Sequence, residues 1–430
     1  MKDYSPLIKE DFLQYIWRTQ KFDKGELRTT QGNFVEVMKS GILNRDQGPD
    51  FIDSRVRIGG QLWAGKVEIH TKSSDWKIHG HDDNPDYFNV ILHVVYEDDQ
   101  PVKDQYGDLI ATIELKDRID HSILETYKYL NSYDFDAIPC ENLLDKVARL
   151  NITSWKERMA VSRLEDKYNT INDIFVFSKK NLHETLFKLI CRTFGFAKNG
   201  TAFEWMANTL NYKILSKHIG NRHQIESLLF GQAGMLQQDW KDDYPKALKE
   251  EYEFLAEKYE LSPIDPTVWN FARMRPQNFP TIRISQLADF FFKYGRKLMY
   301  TLDWTGITAD LDCTAHKYWD NHFKFDSESD QDRSKSLGKR STDLIQINVL
   351  APFMFFMGVN KNNQDLKDQA LDILQKTDPE SNGIMRKWSK LGVTIDHALD
   401  SQALLFLYKD YCMNRKCAQC NIGQAILVKS

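Results

Sequence analysis

Cysteine is scarce in this sequence, with six residues among 430. A disulfide framework of the kind that holds small secreted proteins together is therefore excluded. Basic charge is not in excess either, because 57 lysines and arginines face 61 aspartates and glutamates and leave a net charge of −4. This balance excludes a uniformly basic coat for nucleic acid, although a local basic groove remains compatible with it.

Long apolar segments are missing as well. The longest, residues 344–358, is interrupted by Gln346, Asn348 and Pro352 and is shorter than the roughly 20 residues that a membrane span needs. We therefore predict buried core there and no membrane association. The first ten residues lack the basic and apolar stretches of a secretion signal, so a cytoplasmic location is expected. The oligomeric state is left open.

The hydrophobic pattern changes along the chain. A helical pattern at residues 9–22 is followed by strand patterns, which lie at residues 33–39, 51–58, 62–70, 90–96 and 109–115. After residue 120 the apolar residues recur at helical spacing, in segments 154–168, 182–194, 202–215, 223–236, 244–259 and 284–300. At roughly 150 residues per domain, the chain is long enough for two or three domains.

This change predicts an α+β protein with three parts. Residues 1–118 should form a mixed-sheet module. A predominantly α-helical region of one or two subdomains should follow over residues 119–400, and residues 401–430 should form a C-terminal helix with a cysteine cluster.

The candidate chemistry centres on the predicted hairpin of residues 48–70. Asp50 lies at the start of its first strand, and Glu68 and His70 lie in its second strand. Because side chains alternate along a strand, Glu68 and His70 share one face. Two carboxylates beside an imidazole can hold a divalent cation against a phosphate. The alternative is that Asp50 caps a turn and that Glu68 and His70 belong to a solvated strand face.

The pairing of this hairpin decides between the two interpretations. A regular two-residue turn at Gly59-Gly60 would pair Asp50 with Ile69 and put Asp50 on the face opposite the second carboxylate. The metal hypothesis therefore requires a one-residue bulge, which Gly65 or the turn at Gly48-Pro49 could provide.

Histidines are dense just after this hairpin. His70, His79, His81 and His93 fall within 24 residues, with aspartates between them. Neutral imidazoles and carboxylates bind zinc or manganese, so His79 and His81 are candidate loop ligands. The alternative is that these histidines only satisfy hydrogen bonds in a polar loop and a buried strand.

A second candidate metal site lies at the C-terminus. Cys412, Cys417 and Cys420 are separated by four and two residues, a spacing at which three thiolates can bind one zinc ion. The fourth ligand would have to be brought in by the fold, from among Cys140, Cys313 and His397. An iron–sulfur cluster would need the same addition, and reduced cysteines without metal are the alternative.

Candidate contacts to nucleic acid lie in a proline-rich stretch between helices. Arg273, Arg275 and Arg283 are interspersed there with aromatic residues. Guanidinium and aromatic groups together bind phosphates and stack on bases. The alternative is that these arginines hydrogen-bond to loop carbonyls.

The pattern Pro49-Asp50 followed by Glu68-Ile69-His70 resembles the PD-(D/E)xK phosphodiesterase superfamily. That superfamily has the restriction-endonuclease-like fold, whose core runs helix, three strands, helix, strand. The resemblance covers residues 9–97 and implies that Asp50 and Glu68 bind magnesium or manganese. It also implies a divalent-metal-dependent nuclease.

One position departs from the superfamily pattern. The usual lysine is His70 here. Lys72 or Lys66 could supply the missing positive charge to the transition state, and Glu10 or Glu26 could add a carboxylate from a helix.

A second resemblance spans nearly the whole chain. It is to the bacterial family called domain of unknown function 2851, through Gly48-Pro49-Asp50-Phe51, Val67-Glu68-Ile69-His70, Ser74-Asp75-Trp76, His79-Gly80-His81, Leu92-His93-Val94-Val95, Phe230-Gly231-Gln232-Ala233-Gly234 and Asp400-Ser401-Gln402-Ala403-Leu404. The family has no settled activity, so function must be inferred from the site.

Three functional hypotheses follow. The first is a metal-dependent phosphodiesterase that acts on nucleic acid through Asp50 and Glu68, assisted by His70 and Lys72. The second is a non-catalytic nucleic-acid-binding or interaction protein that retains the nuclease fold. The third is a metal hydrolase of another substrate, built from the histidine cluster and a carboxylate.

Overall fold

The computed structural model describes residues 8–132, 137–301 and 311–429, without the side chains of residues 299–301. The chain divides into two compact units. The first comprises residues 1–159, 383–393 and 404–430, and the second comprises residues 160–382 and 394–403. The predicted boundary at residue 118 thus falls inside the first unit, to which most of the C-terminal segment also belongs.

The strands of the first unit form one mixed sheet. They are β1 (Val35–Lys39), β2 (Ile42–Leu43), β3 (Phe51–Ile58), β4 (Gln61–Lys72), β5 (Val90–Glu97) and β6 (Thr112–Glu114). Their order is β1-β3-β4-β5-β6, with β2 also paired to β3. The pairs β4–β5 and β5–β6 are parallel and the other pairs are antiparallel. In the second unit, β7 (His322–Lys324) and β8 (Ser327–Glu328) form a small hairpin.

The remaining elements are mainly α-helices, which confirms the predicted α+β class. They are α1 (Glu10–Thr19), α2 (Asp75–Ile78), α3 (His121–Asn131), α4 (Arg149–Phe177), α5 (Leu182–Phe194), α6 (Phe196–Thr209), α7 (Tyr212–Ser216), α8 (Arg222–Gln232), α9 (Asp243–Tyr259), α10 (Pro280–Thr301), α11 (Lys339–Ile345), α12 (Ala351–Asn360), α13 (Gln364–Lys376), α14 (Gly383–Lys390), α15 (Ala398–Phe406) and α16 (Asn421–Lys429). The strand β3 and the helix α5 have the predicted bounds.

The helical segment Lys339–Asn360 contains the longest apolar run. A π-helical turn, Gln346–Leu350, joins α11 to α12 within it. The segment is long and apolar enough to cross a membrane, but 72% of its apolar window is buried inside the protein. This burial is that of a core helix and does not indicate a membrane span.

The core of the first unit lies where α1 packs against β4. The apolar residues of α1 recur at helical spacing and all face inward, namely Phe12, Leu13, Ile16 and Trp17. Both faces of β4 are buried from Val67 to His70, as expected for the centre of a sheet with a parallel neighbour. The parallel register sets Glu68 opposite His93 in β5. Polar side chains of two adjacent strands therefore meet in the interior.

The hairpin β3–β4 contains the bulge that the metal hypothesis requires. Near the turn the pairing is regular, with Ser54 opposite Gly65, but Phe51 is opposite Val67. The strand β3 therefore carries one extra residue between Phe51 and Ser54. Asp53, in this interval, has a φ of +54°, in the left-handed region that a bulged residue often adopts.

The bulge changes which residues face each other. With Phe51 opposite Val67, the preceding residue, Asp50, comes opposite Glu68. The predicted need for a bulge is thus confirmed, but its predicted position was wrong. It lies in β3 at an aspartate and not at Gly65 or Gly48-Pro49, because a short polar side chain tolerates the left-handed conformation without glycine.

We expect Asp53→Val to lower the free energy of unfolding by about 1–2 kcal/mol, because a β-branched side chain is strained at positive φ. Asp53→Gly should change it by less than about 0.5 kcal/mol, since the ion pair of Asp53 with Lys39 is exposed and contributes little. Urea denaturation of the full chain measures both. Arg55→Val, at an exposed β3 position, is the control; a loss as large as that of Asp53→Val would contradict the argument.

Candidate metal centre

The functional side chains come from two strands and the loop that joins them. Glu68 and His70 lie on one face of β4, and His93 lies in β5. The short helix α2 and its C-terminal turn supply His79 and His81. The His81 N–H donates to the Trp76 carbonyl (3.1 Å), which turns the chain back towards the strands. The loop predicted to be polar is thus folded over the sheet.

Three imidazoles converge at this position. The metal-binding atoms of His70, His79 and His81 all lie within 4.8 Å of one another. His70 Nε2 is 3.1 Å from His79 Nδ1, and the rings of His70 and His81 stack with centroids 5.3 Å apart. His70 and His81 are buried, whereas His79 is exposed. The cluster therefore has one side open to solvent.

A carboxylate, that of Glu68, lies beside these imidazoles. Glu68 Oε1 lies 3.5 Å from His70 Nε2 and 3.4 Å from His81 Nε2. Its other oxygen, Oε2, accepts a hydrogen bond from the Asp50 N–H (3.0 Å). The three imidazoles are thus close enough to share one cation, and one oxygen of Glu68 lies beside two of them, His70 and His81. Such a mixed set suits zinc or manganese.

Asp50 is held beside Glu68 by main-chain and side-chain contacts. Its Oδ2 accepts a hydrogen bond from the Ile69 N–H (3.1 Å), and its Oδ1 accepts one from Gln14 Nε2 (2.8 Å). Gln14 belongs to α1, so the helix fixes the orientation of the carboxylate. The sequence did not indicate Gln14, because a single glutamine on an amphipathic helix carries no pattern.

Burial disfavours the ionised forms of the two carboxyl groups in this site. Burial raises the pKa of Asp50 to about 8, and the nearby carboxylates of Glu68 and Glu10 add to the shift. Burial, with Glu10 again, also raises the pKa of Glu68 to about 8. Of the two helix carboxylates considered from the sequence, Glu10 is thus the one near the site; Glu26 is exposed. A bound cation would favour the ionised forms.

Burial favours the neutral form of three of these histidines. Burial, with the neighbouring imidazoles, lowers the pKa of His70 to about 2. Burial and His81 lower the pKa of His93 to about 3, and burial lowers the pKa of His81. A neutral imidazole has a lone pair for a metal. His70 Nδ1 lies 2.8 Å from His93 Nε2, so His93 orients His70 from behind and leaves His70 Nε2 facing Glu68.

Aromatic rings pack against the histidine cluster. The ring of Tyr87 stacks on His81 with centroids 3.7 Å apart. Trp76 packs edge-on against His81 and His93, at 5.4 and 5.3 Å. Burial, with the charges of Glu68 and Asp50, raises the pKa of Tyr87 to about 12, so its hydroxyl keeps its proton at neutral pH. These rings fix the imidazole planes and restrict water.

The two lysines considered from the sequence point to other partners. Lys66 Nζ donates to the Asp86 carbonyl (2.8 Å). Lys72 is exposed, and its charge acts on Asp99, whose pKa is lowered chiefly by hydrogen bonds from Ser74. In the described contacts, neither lysine occupies the position that the nuclease resemblance implies for a cation.

The predicted arginines differ in environment. Arg283 is 8% exposed, and it donates to Asn278 and Gln286 (2.7 and 2.9 Å). It is a structural side chain and is not available for the predicted contact with nucleic acid. Arg273 and Arg275 are exposed, so for them contact with nucleic acid remains a prediction. The spacing of apolar residues cannot reveal which arginine is buried, because an arginine is buried only where the fold supplies hydrogen-bond partners for it.

The C-terminal cysteines are buried in the first unit. Cys412, Cys417 and Cys420 are free thiols, as is Cys140, which the fold brings to the same unit. Of the other two candidates for a fourth ligand, Cys313 belongs to the second unit, and His397 Nδ1 lies 3.5 Å from Asp400.

Comparison with known proteins gives one result. Residues 10–383 match the family model described as Protein of unknown function (DUF2851), and the matched region contains the whole candidate metal centre described above. No curated protein and no solved structure matches the chain. A match over most of the chain establishes the family, and the chain therefore belongs to the DUF2851 family.

Proposed function

We propose that this protein is a metal-dependent hydrolase of phosphodiesters, with nucleic acid as its substrate. The observation that carries the proposal is the position of Glu68 Oε1 within 3.5 Å of both His70 Nε2 and His81 Nε2, beside Asp50. Buried groups of this kind, without a compensating charge, are characteristic of functional sites. Glu68, His70, His79 and His81 would hold the cation, and Asp50 would support Glu68 or bind the same cation.

The metal would polarise the phosphoryl group and lower the pKa of a bound water molecule. The imidazoles favour manganese or zinc over magnesium, which prefers oxygen ligands and retains its waters. The exposed side of the cluster, at His79, is the side from which a phosphodiester could approach. The neutral hydroxyl of Tyr87 could donate a hydrogen bond there.

The choice of phosphodiesters is supported by the order of elements. A helix, four strands of which the last two form an antiparallel hairpin, a short helix and a parallel strand succeed one another over α1 to β5. The PD-(D/E)xK resemblance implies a similar order with three strands in place of four. Asp50 and Glu68 lie at the positions that this resemblance assigns to metal ligands. Fold alone does not determine activity, so the substrate must be tested.

The second candidate is a non-catalytic nucleic-acid-binding protein with the same fold. The observation that favours it is the engagement of Lys66 by the Asp86 carbonyl, together with His70 at the position of the usual lysine. Such a protein would bind DNA or RNA with an affinity that falls with salt and would not depend on Glu68.

Metal binding provides the first test. The full chain, freed of metal with a chelator, should bind Mn²⁺ in isothermal titration calorimetry and then cleave DNA, RNA or a chromogenic phosphodiester. Glu68→Ala and His81→Ala should lose both activities, because each removes a ligand. His93→Ala should weaken binding by roughly 10–100-fold, as loss of a residue that orients a ligand does.

The matched control for these variants is His121→Ala. His121 is an exposed histidine of α3 whose Nε2 lies 3.8 Å from Glu125 Oε1, and its loss should change neither binding nor cleavage. Equal cleavage by wild type and Glu68→Ala would contradict the proposal. Tight nucleic-acid binding without cleavage would select the second candidate.

The pH dependence of the metal-free protein provides the second test. Because the pKa values of Asp50 and Glu68 are about 8 in the folded chain and near 4 when unfolded, the folded state binds more protons between these values. The contribution of the pair to stability is therefore present below about pH 4 and is lost as the pH rises towards about 8. Mn²⁺ affinity should rise over the same interval, because binding displaces these protons.

Glu68→Gln should flatten this loss of stability and raise the urea midpoint of the metal-free chain at pH 8. Glu36→Gln is the control, because Glu36 is an exposed strand glutamate paired with Arg57. An unchanged pH profile for Glu68→Gln would mean that Glu68 ionises as an ordinary surface carboxylate.

A further inference from the structure

The second unit contains a cavity of about 520 Å³, called here the aromatic pocket. Its walls come from the turn after α8, from the loop between α9 and α10, and from the hairpin of β7 and β8. Four aromatic side chains line it, namely Trp240, Trp269, Phe271 and Phe325. The volume lies in the range of sites that bind small molecules.

The walls of the aromatic pocket are fixed by hydrogen bonds and close packing. The indole N–H of Trp269 donates to the Ala233 carbonyl (2.8 Å). The buried side chain of Asn199 donates to the Asn270 carbonyl (3.0 Å) and accepts from the Asn270 N–H (2.8 Å). Gly234 lines the pocket at a φ of +71°, where a Cβ would lie 2.3 Å from a carbonyl oxygen of the adjoining loop. The fold itself therefore holds the pocket in shape.

Positive charge lies at the aromatic rings. Lys324 is the one charged side chain among the described residues that line the pocket, and its Nζ lies 5.1 Å from the centroid of the Phe271 ring. Arg273 and Arg275 follow Phe271 on the same loop and are exposed. None of these three cations forms an ion pair with a described residue. In a chain with a net charge of −4, this arrangement favours an anionic ligand and disfavours a cationic one.

Neutral hydrogen-bonding groups complete the lining. The exposed side chains of Gln237 and Gln238 line the pocket together with the half-buried ring of Trp240. A carboxamide both donates and accepts hydrogen bonds, as the edge of a nucleobase does. Aromatic rings stack on the faces of bases, and lysine and arginine bind phosphates. The side chains thus match the face and the edge of a base and the phosphate attached to it.

We propose that the aromatic pocket binds one nucleobase of a single-stranded nucleic acid. The base stacks against the two half-buried rings, Trp240 and Phe271, and Lys324 binds the adjoining phosphate. Arg273 and Arg275 are not among the lining residues and suit further phosphates of a strand. The inference rests on the proposed function in taking nucleic acid as the ligand, but it requires neither metal nor cleavage.

Fluorescence anisotropy of a labelled oligothymidylate tests this proposal, with the full chain in EDTA so that no metal-dependent cleavage takes place. Phe271→Ala should weaken binding by roughly 5–150-fold, the usual effect of losing one stacked base, and Phe271→Tyr should restore it. Lys324→Gln should lower the slope of log Kd against log salt concentration by about 0.7, because one phosphate contact is lost.

The matched controls lie on α9 of the same unit. Phe254 is 60% exposed, and Lys258 Nζ lies 5.8 Å from the centroid of its ring, so this pair resembles Phe271 and Lys324 without a pocket. Phe254→Ala and Lys258→Gln should leave affinity and salt dependence unchanged. Equal affinity of wild type and Phe271→Ala would overturn the proposal.

The choice of ligand separates the possible sources of the base. An abasic strand with the same number of phosphates should bind more weakly than oligothymidylate and should not respond to Phe271→Ala. Thymidine 5′-monophosphate should also bind more weakly, and tighter binding of this nucleotide than of the strand would overturn the assignment to nucleic acid. Cleavage with Mn²⁺ by a chain whose binding ignores Phe271→Ala would refute only the pocket, whereas pocket-dependent binding without cleavage would refute only the hydrolase.

A third measurement uses the wild type alone and so does not depend on how the variants fold. Ultraviolet cross-linking of an oligonucleotide that carries 5-iodouracil, followed by mass spectrometry of the peptides, should place the adduct within residues 235–240 or 269–275. Adducts confined to other segments would overturn the proposal.

Discussion

The register of one hairpin determines whether this protein has a site at all. Side chains alternate along a strand, so a single extra residue moves every later side chain to the other face. The extra residue in β3, between Phe51 and Ser54, brings Asp50 opposite Glu68. Without it, Asp50 would face away from the histidines. The strain of Asp53 at positive φ is the local cost of this register.

The site that this register creates is well packed, but its burial disfavours the charged forms of its carboxyl and imidazole groups. Asp50 and Glu68 retain protons in the metal-free chain because burial disfavours their ionised forms. The same burial keeps His70 and His93 neutral. Acids that resist ionisation and bases that resist protonation do not neutralise each other, whereas a cation bound as proposed would satisfy both.

Local features of the site and fold followed from the sequence, whereas features set by tertiary contact did not. Strand alternation gave the bounds of β3, and helical spacing gave those of α5. The alternation of side chains along a strand showed that the metal hypothesis needs a bulge. It did not show where the bulge lies, because Asp53 is not the glycine that usually marks one. That Cys140 shares a unit with the C-terminal cysteines, whereas Cys313 and His397 do not, could not be predicted, since sequence spacing has no information on segments so distant. The burial of Arg283 had no signal in the sequence.

The motifs outside the centre can be explained by packing. Gly231 lies against the Tyr252 ring, which a Cβ would approach to 2.0 Å, and Ser401 Oγ accepts the Glu380 N–H (3.1 Å) and donates to the Ala398 carbonyl (3.0 Å). These residues allow close packing and form buried hydrogen bonds within the second unit.

By contrast, His79 is exposed, and the Nε2 of His81 and the Nδ1 of His93 are buried without a hydrogen-bond partner among the described residues. Buried polar atoms left unsatisfied are costly, but Gln232 Oε1 of a second-unit motif is also without a partner among the described residues. What sets the histidine cluster apart is that three imidazoles converge with one of them exposed, and the proposed chemistry therefore belongs to the first unit.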